Sequence, residues 1–342
     1  MRKMQSVLTL LITLAAAAFG TVAAADPAPA RIALNQELEL SGPYQCENLS
    51  VFLIHGREKI SGKKIMPLAE ALEKGLVTVH ETGDVNRLSA QNHSRDHYIY
   101  IQSGDIVKGG RQDRTLGQDM LLPPNSGKIP LDSFCVEQGR WSQRGHEQAG
   151  TFSGSTKQLS SKELKLAAKQ ARSQGAVWKA VAETQEKLSR KVGKSVRSDA
   201  SATSLQLTLE DKAVEAQAAR YIQTLLPVGQ AAEDAVGFAY AIEGQLAAVD
   251  LYGSPDLFHK LYPKLIDAAT SEAVVAVGQG KPGAAPDAAT IKNQILSALK
   301  APQRVEGGDG HTRRTYSESK ERHTFETRDE KDQMIHLNVI QK

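Results

Sequence analysis

Apolar residues change their spacing part-way along the chain. Between residue 31 and about 140 they come in short runs or loose alternation, the period of strands. Ile32, Leu34, Leu38 and Leu40 alternate with polar neighbours, and Leu49 to Ile54 is a continuous apolar run of strand length. Residues 67–74 predict a short helix that Gly75 ends. Leu76, Val77 and Val79 begin another strand, residues 88–91 and Tyr98 to Ile101 follow, and Met120 to Leu122 and Phe134 to Val136 close the set. Residues 142–159 are polar and rich in Gly and Ser, and predict a loop. Short strands on short connections point to a mainly antiparallel sheet or a small barrel.

Beyond that loop the spacing becomes helical. Ser160 with Glu163 forms a capping-box pair for one long helix, with Leu164, Ala168, Ala171, Trp178, Val181 and Leu188 on a common face and Trp178 as a packing anchor. Gly193 to Ser204 has the composition of a linker. A helix from about Leu209 to Leu226 follows, with Thr208 and Asp211 at its start and Pro227 as its stop. Val236 to Ile242 and Gln245 to Tyr252 are apolar strands separated only by Glu243-Gly244, which predicts a hairpin. Ser254-Pro255-Asp256 starts another helix, with Leu257, Phe258, Leu261, Leu265 and Ile266 facing inward, and Pro263 is expected to kink or divide it. Residues 278–288 form a Gly/Pro/Ala loop, Ile291, Ile295 and Leu299 mark a short helix, and the charged stretch 303–333 reads as a solvated face or a flexible hairpin. A final strand from Ile335 alternates cleanly.

The expected class is therefore α+β. A mainly antiparallel N-terminal sheet or small barrel with one short helix precedes a long helix and a second α+β layer built on a β-hairpin. Residues 31–192 and 205–342 make two regions joined at 193–204, or one continuous domain 31–342.

The first 25 residues carry an address. Arg2 and Lys3 precede an apolar core from Ser6 to Phe19, and Ala23-Ala24-Ala25 supplies the small residues that signal peptidase accepts. Cleavage after Ala25 is expected, residues 26–30 are a leader, and the compartment is periplasmic or secreted. No later apolar stretch is long enough to span, so no stable membrane insertion is expected after cleavage. In an oxidising compartment Cys46 and Cys135 either pair as a disulfide or remain buried, inert thiols.

Composition removes several function classes. With 40% hydrophobic residues in 342, the chain can bury a core. The 42 basic and 39 acidic residues leave a formal charge of only +3, which argues against a nucleic-acid partner. Arg2 and Lys3 leave with the signal peptide, so any anion binding must rest on local placement of cations. No phosphate-binding P-loop, dinucleotide fingerprint or nucleophile elbow occurs, and no cofactor is expected. Of the nine histidines only His93 and His97 are four apart, in a turn-like context, so no metal site is expected.

The segment Gln102 to Trp141 carries the candidate chemistry. Lys108-Gly109-Gly110-Arg111 sets two glycines between cations, where the backbone can approach an anion. Arg111, Arg114 and Arg140 offer bidentate donors, Gln112 an amide, and Trp141 an aromatic wall. Asp105 and Glu137 are the carboxylates placed to act as general acid or base. The same residues also read as a turn pinned by salt bridges.

Residues 103–114 (SGDIVKGGRQDR), 121–124 (LLPP) and 134–141 (FCVEQGRW) resemble a bacterial family named for its association with ADP-ribosylglycohydrolase and rhodanese/phosphatase-superfamily proteins. Residues 48–52, 73–77, 253–258 and Lys264-Leu265 look like the same family, so the resemblance runs from about residue 31 to the C-terminus. It implies a role near NAD-derived or ADP-ribose metabolism, and it places Asp105, Lys108, Gly109, Gln112, Arg114, Glu137, Arg140 and Trp141 on the family motif. Three functions follow as expectations. The first is a binding module for an anionic small molecule, nucleotide-like by resemblance, held by the 102–141 segment. The second is a hydrolase of such a ligand using Glu137 or Asp105. The third is an envelope structural or interaction protein with no ligand site.

Overall fold

Both halves of the chain feed one sheet. The protein is described by a computed structural model over residues 29–142, 144–148, 150–276, 284–300 and 304–342. The expected signal peptide and most of the leader lie outside the described residues, as does 278–283 of the expected loop.

The first half supplies β1 (Ile32–Ala33), β2 (Glu39–Cys46), β3 (Leu49–His55), β4 (Lys64–Pro67), α1 (Leu68–Glu73), β5 (Val77–Asp84), β6 (Arg87–Asn92), β7 (His97–Ile101), β8 (Asp105–Gly109), β9 (Arg114–Leu116), β10 (Met120–Leu122), β11 (Ile129–Cys135) and β12 (Phe152–Leu159). Next come α2 (Lys162–Lys165), a π-turn over Leu166–Gln170, α3 (Gln174–Val192), α4 (Leu205–Leu209) and α5 (Lys212–Ala231). The hairpin β13 (Ala235–Ile242) and β14 (Gln245–Tyr252) precedes α6 (Pro255–Ala276) and α7 (Ala288–Leu299). The chain ends with β15 (Arg304–Gly308), β16 (Thr312–Glu318), β17 (Arg322–Asp329) and β18 (Met334–Gln341).

The architecture is α+β and mainly antiparallel. A nine-stranded sheet runs β1-β2-β3-β13-β14-β18-β17-β16-β15, a three-stranded sheet runs β10-β7-β4, and a six-stranded sheet runs β12-β8-β9-β11-β6-β5. Among the described residues only β4 with β7 pairs in parallel. In the large sheet β3 lies against β13, with Leu53 opposite Phe238 and Val51 opposite Tyr240. Alternate residues of β3 face opposite layers: Val51 and Leu53 join Phe238, Tyr221 and Leu265 on the α5–α6 side, and Phe52 and Ile54 join Ile291 and Ile295 of α7. Helices on both faces explain why β3 reads as a continuous apolar run and not as an alternation. The Glu243-Gly244 turn is the predicted hairpin, with both residues at positive φ.

Several local expectations need correction. The long helix from Ser160 is broken: α2 passes into the π-turn, Arg172 takes φ 47, and α3 starts afresh with Ser173 as its cap. Ser161, not Ser160, caps α2 by accepting from Leu164 N, while Ser160 Oγ bonds Thr115. The break resets the phase, so Val177, Val181, Gln185 and Leu188 face inward and Trp178 is only half-buried. Pro227 lies inside α5 on its exposed side, where the carbonyl it leaves without a donor faces water, and Tyr221, Leu225 and Gly229 carry the buried stripe past it. Pro263 likewise sits on the half-exposed side of α6, which continues as one helix. The expected loop 142–159 ends in β12, which pairs with β8. Residues 304–329 of the charged stretch form β15 to β17, and Arg322, His323, Glu326 and Asp329 of β17 are buried.

Residues 193–204 pack back onto the molecule. Gly193 closes α3 at φ 76, Val196 is buried, and Ser204 caps α4. Cys46 and Cys135 are both free, buried thiols, so no disulfide joins them. Cys46 Sγ faces Arg220 O at 3.9 Å and Cys135 Sγ faces Val85 O at 3.7 Å. Burial pushes the Cys135 thiol up to about 11, far from the thiolate range that reactivity needs.

Candidate functional site

The 102–141 segment folds as β8, β9, β10 and β11 with tight turns between them, and Asp105, Asp113, Arg114, Asp119 and Glu137 are buried in it. Gly109 at φ 119 and Gly110 at φ 55 make the turn after β8; Gly109 N donates to Asp113 Oδ1 at 3.0 Å, and a Cβ on Gly110 would sit 2.2 Å from Phe152 Cζ. The two glycines thus serve a close approach to protein. Lys108 reaches Glu210, donating to both carboxylate oxygens at 2.9 and 3.0 Å. Arg114 is fully buried, donates to Gln112 O at 2.9 Å and lies 3.5 Å from Glu81 Oε2. Exposed Arg111 and buried Arg114 both place their guanidinium over Trp141, at 5.4 and 5.7 Å from the ring centre.

Gln112, Asp113, Glu137 and Arg140 do converge, and Arg144 completes the cluster. Gln112 Nε2 donates to Glu137 O at 2.9 Å, and Asp113 N donates to Glu137 Oε2 at 3.2 Å. Arg140 pairs with Glu137 at 2.7 Å, and Arg144 donates to both oxygens of Asp113 at 3.0 and 3.1 Å and to Glu147 at 2.8 Å. Both carboxylates are fully buried. Burial, with Glu137 close by, raises the Asp113 carboxyl above its ordinary range. Burial acts the same way on Glu137, but the hydrogen bonds from Arg140, Ser201 and Asp113 N, with the Arg140 charge, together outweigh it and hold that carboxyl low. At the surface edge Arg140 and Arg144 border an open depression of about 590 Å³, with Ser142, Ser201 and Thr203 beside them.

Asp105 is carried elsewhere. It pairs with Lys264 of α6 at 3.1 Å and accepts from Gln102 N at 3.0 Å. It borders a second buried cluster that the sequence pattern did not single out. There His336 Nδ1 lies 2.7 Å from Asp119 Oδ2 and Nε2 lies 3.0 Å from Asp250 Oδ1. Tyr252 stacks on the imidazole at 4.5 Å between centroids and donates to Gln102 Oε1 at 3.1 Å. The π-turn brings Lys169 to within 3.7 Å of Asp119. Burial alone would lower His336, yet the two aspartates outweigh it and raise its pKa. Lys169 and His336 hold Asp119 well below the usual carboxylate range against the opposing effect of burial. None of these residues lines the Arg140–Arg144 depression.

The larger cavity lies between α2, α3, α6 and the β13–β14 hairpin, and encloses about 790 Å³. Leu164, Val181, Leu209, Leu246 and Ala268 give it apolar walls. Glu272 of α6 lines it from a buried position. Its Oε1 accepts from Lys162 N at 2.7 Å and its Oε2 accepts from Tyr240 Oη at 2.9 Å. Burial, reinforced by the like charge of Glu163, pushes the Glu272 carboxyl up to about 7. Polar and charged residues make up much of the rest of the lining, so the cavity is mixed in character, and its volume is that of a small-molecule site. The sequence carried one signal for it: Glu272 is an acid on the inward stripe of α6 that runs through Leu265, Ala268 and Ala269.

Among the described residues no group of three or more His, Cys, Asp or Glu side chains is arranged to hold a metal ion. No helix among them is long and apolar enough to cross a membrane. A family model described as the ARG and Rhodanese-Phosphatase-superfamily-associated Protein domain matches residues 37–340. No curated protein and no solved structure matches the chain.

Proposed function

The chain belongs to the ARG and Rhodanese-Phosphatase-superfamily-associated Protein domain family, and on that premise we propose that it is a small-molecule binding module whose ligand occupies the Glu272 cavity. The observation that carries this reading is the 790 Å³ space itself, lined by an apolar patch from Leu164, Val181, Leu209, Leu246 and Ala268 and by polar residues that include the buried Glu272 carboxyl. Ligand sites are concave, with volumes of about 300–1,000 Å³. The 102–141 segment then acts as scaffold. Its cations Lys108, Arg114 and Arg140 already face Glu210, Glu81 and Glu137. Binding is preferred to hydrolysis by Asp105 or Glu137, because both are buried and ion-paired, to Lys264 and Arg140 respectively. The signal-like residues 1–25 support a site of action outside the cytoplasm.

The test is titration with N-phenyl-1-naphthylamine, a neutral dye that brightens in apolar surroundings. Wild-type protein should bind it, and Ala180→Trp, which fills the cavity from α3, should abolish binding with little change in Tm. Equal binding by both proteins, or none by the wild type, overturns the reading.

A second reading keeps an anionic ligand at the Arg140–Arg144 depression, where Ser142, Ser201 and Thr203 add hydroxyl donors. Its test is equilibrium dialysis against ADP-ribose: retention by the wild type, lost in Ala200→Glu, which adds a carboxylate to the rim.

A further inference from the structure

We infer that the polar end of the Glu272 cavity takes a cation, an ammonium or guanidinium group carried on an apolar body, with the Glu272 carboxylate as its counter-ion. This rests on the cavity reading above and names the class of ligand.

Among the described residues Glu272 is the only ionisable side chain of α6 that lines the cavity, and both of its hydrogen-bond donors are neutral. They are a backbone N–H at residue 162 and the Tyr240 hydroxyl. No cation pairs with it among the described residues. A buried carboxylate without a counter-charge is costly, and a ligand that brings a positive charge removes that cost. Each carboxylate oxygen accepts one hydrogen bond from the protein and retains a lone pair for another donor.

The surrounding charges favour the same sign. Facing Glu272 are Tyr240 from β13 and Lys162 and Glu163 from α2, and Glu163 acts on it more strongly than Lys162 does. Burial first, and then Glu272, Asp250 and Glu163, keep the proton on Tyr240. At the mouth, Glu183 and Lys187 of α3, Glu243 of the hairpin turn, and Lys320, Glu321 and Lys342 are mixed in sign. Lys342 is already paired with Glu318 at 2.7 Å. The mouth is therefore close to neutral, and the inner end decides. An anionic head group there would lie against an acid and beside Glu163. A cationic one meets a carboxylate, while Leu164, Val181 and Leu246 cover its apolar body.

Proton linkage follows from the same placement. In the empty protein the carboxyl holds its proton until about pH 7. A bound cation favours the ionised form, so binding releases a proton below that pH and tightens as pH rises from 5 to 8. An anionic ligand has the opposite dependence.

The experiment is displacement of N-phenyl-1-naphthylamine by three eight-carbon probes: n-octylammonium, octanol and octanoate. At pH 8 octylammonium should displace the dye roughly tenfold more strongly than octanol, the factor that one pKa unit of coupling gives. That advantage should disappear in Glu272→Gln and shrink at pH 5.5 in the wild type, which tests the idea without any substitution. If octanol or octanoate matches octylammonium at pH 8, the cation assignment is overturned while the cavity reading stands. If the dye itself does not bind, the cavity reading falls first.

Discussion

His336 and Asp119 are 217 positions apart in the sequence and 2.7 Å apart in the folded protein. Their contact ties β18, in the middle of the nine-stranded sheet, to the turn before β10, and Asp250 holds the other imidazole nitrogen. Both partners raise the pKa of His336. A histidine whose folded pKa lies above its unfolded value stabilises fully below about pH 6.5 and loses that contribution as pH climbs through the folded value. His336→Asn should therefore cost about 3–5 kcal/mol at pH 6, because it leaves two buried aspartates facing each other. Urea unfolding should find a smaller gap from wild type at pH 9. A gap that does not change with pH contradicts the charged imidazole.

Glu272 predicts a slope of the same sign that begins at lower pH. Its carboxyl is raised to about 7, so the folded protein holds the proton more tightly than the unfolded chain does. Stability falls as pH rises from about 4.3, the ordinary glutamate value, through 7. Glu272→Gln removes this term. It should match wild type near pH 5 and exceed it by about 1–3 kcal/mol at pH 8. Denaturant titration at the two pH values checks it, and a variant less stable at pH 8 rules out an uncompensated buried charge.

The acid–arginine cluster separates two kinds of arginine. Arg144 is nearly buried and holds Asp113 by two hydrogen bonds. Arg144→Met should destabilise by about 3–5 kcal/mol, since it strands a buried acid. Arg111 is exposed and packs only its guanidinium over Trp141. Arg111→Ala should cost no more than about 1 kcal/mol. Comparable losses of stability would show that the cluster is not the brace its geometry describes.

Close packing makes one glycine critical. A Cβ on Gly229 would lie 2.2 Å from Tyr262 Cε1, and the same tyrosine donates to Leu225 O at 2.8 Å. Gly229→Ala should therefore part α5 from α6 and cost about 2 kcal/mol or more. A Tm equal to that of wild type contradicts the contact.

What the sequence disclosed follows physical lines. The hairpin was legible because only Glu243-Gly244 separates two apolar runs, and the structure puts both residues at positive φ. The start of α6 was legible from Ser254-Pro255-Asp256, and the family from residues 103–141. Periodicity misled where a strand is buried on both faces. Ile335, Leu337 and Val339 alternate with His336 and Asn338, the pattern of a half-exposed strand, yet His336 and Asn338 are also buried because they bond Asp119 and Asp250. The same holds for β17, where Arg322 is buried by bonding Gln294 O and Ser297 Oγ of α7. Of the candidate site residues, Gln112, Glu137 and Arg140 come together, Lys108 and Asp105 take separate partners, and Arg144 was passed over because it lies in a polar loop. The Glu272 cavity is assembled from α2, α3, α6 and a hairpin. No local pattern could announce it, beyond one acid on an apolar stripe.

The most direct test of the binding account is calorimetry of n-octylammonium binding at about pH 6 in two buffers of different ionisation enthalpy. The account predicts heat that differs between the buffers by a net release of protons, absent in Glu272→Gln. Binding with no proton release, or proton uptake, contradicts the Glu272 counter-ion, and no binding heat in either buffer contradicts the cavity as a ligand site.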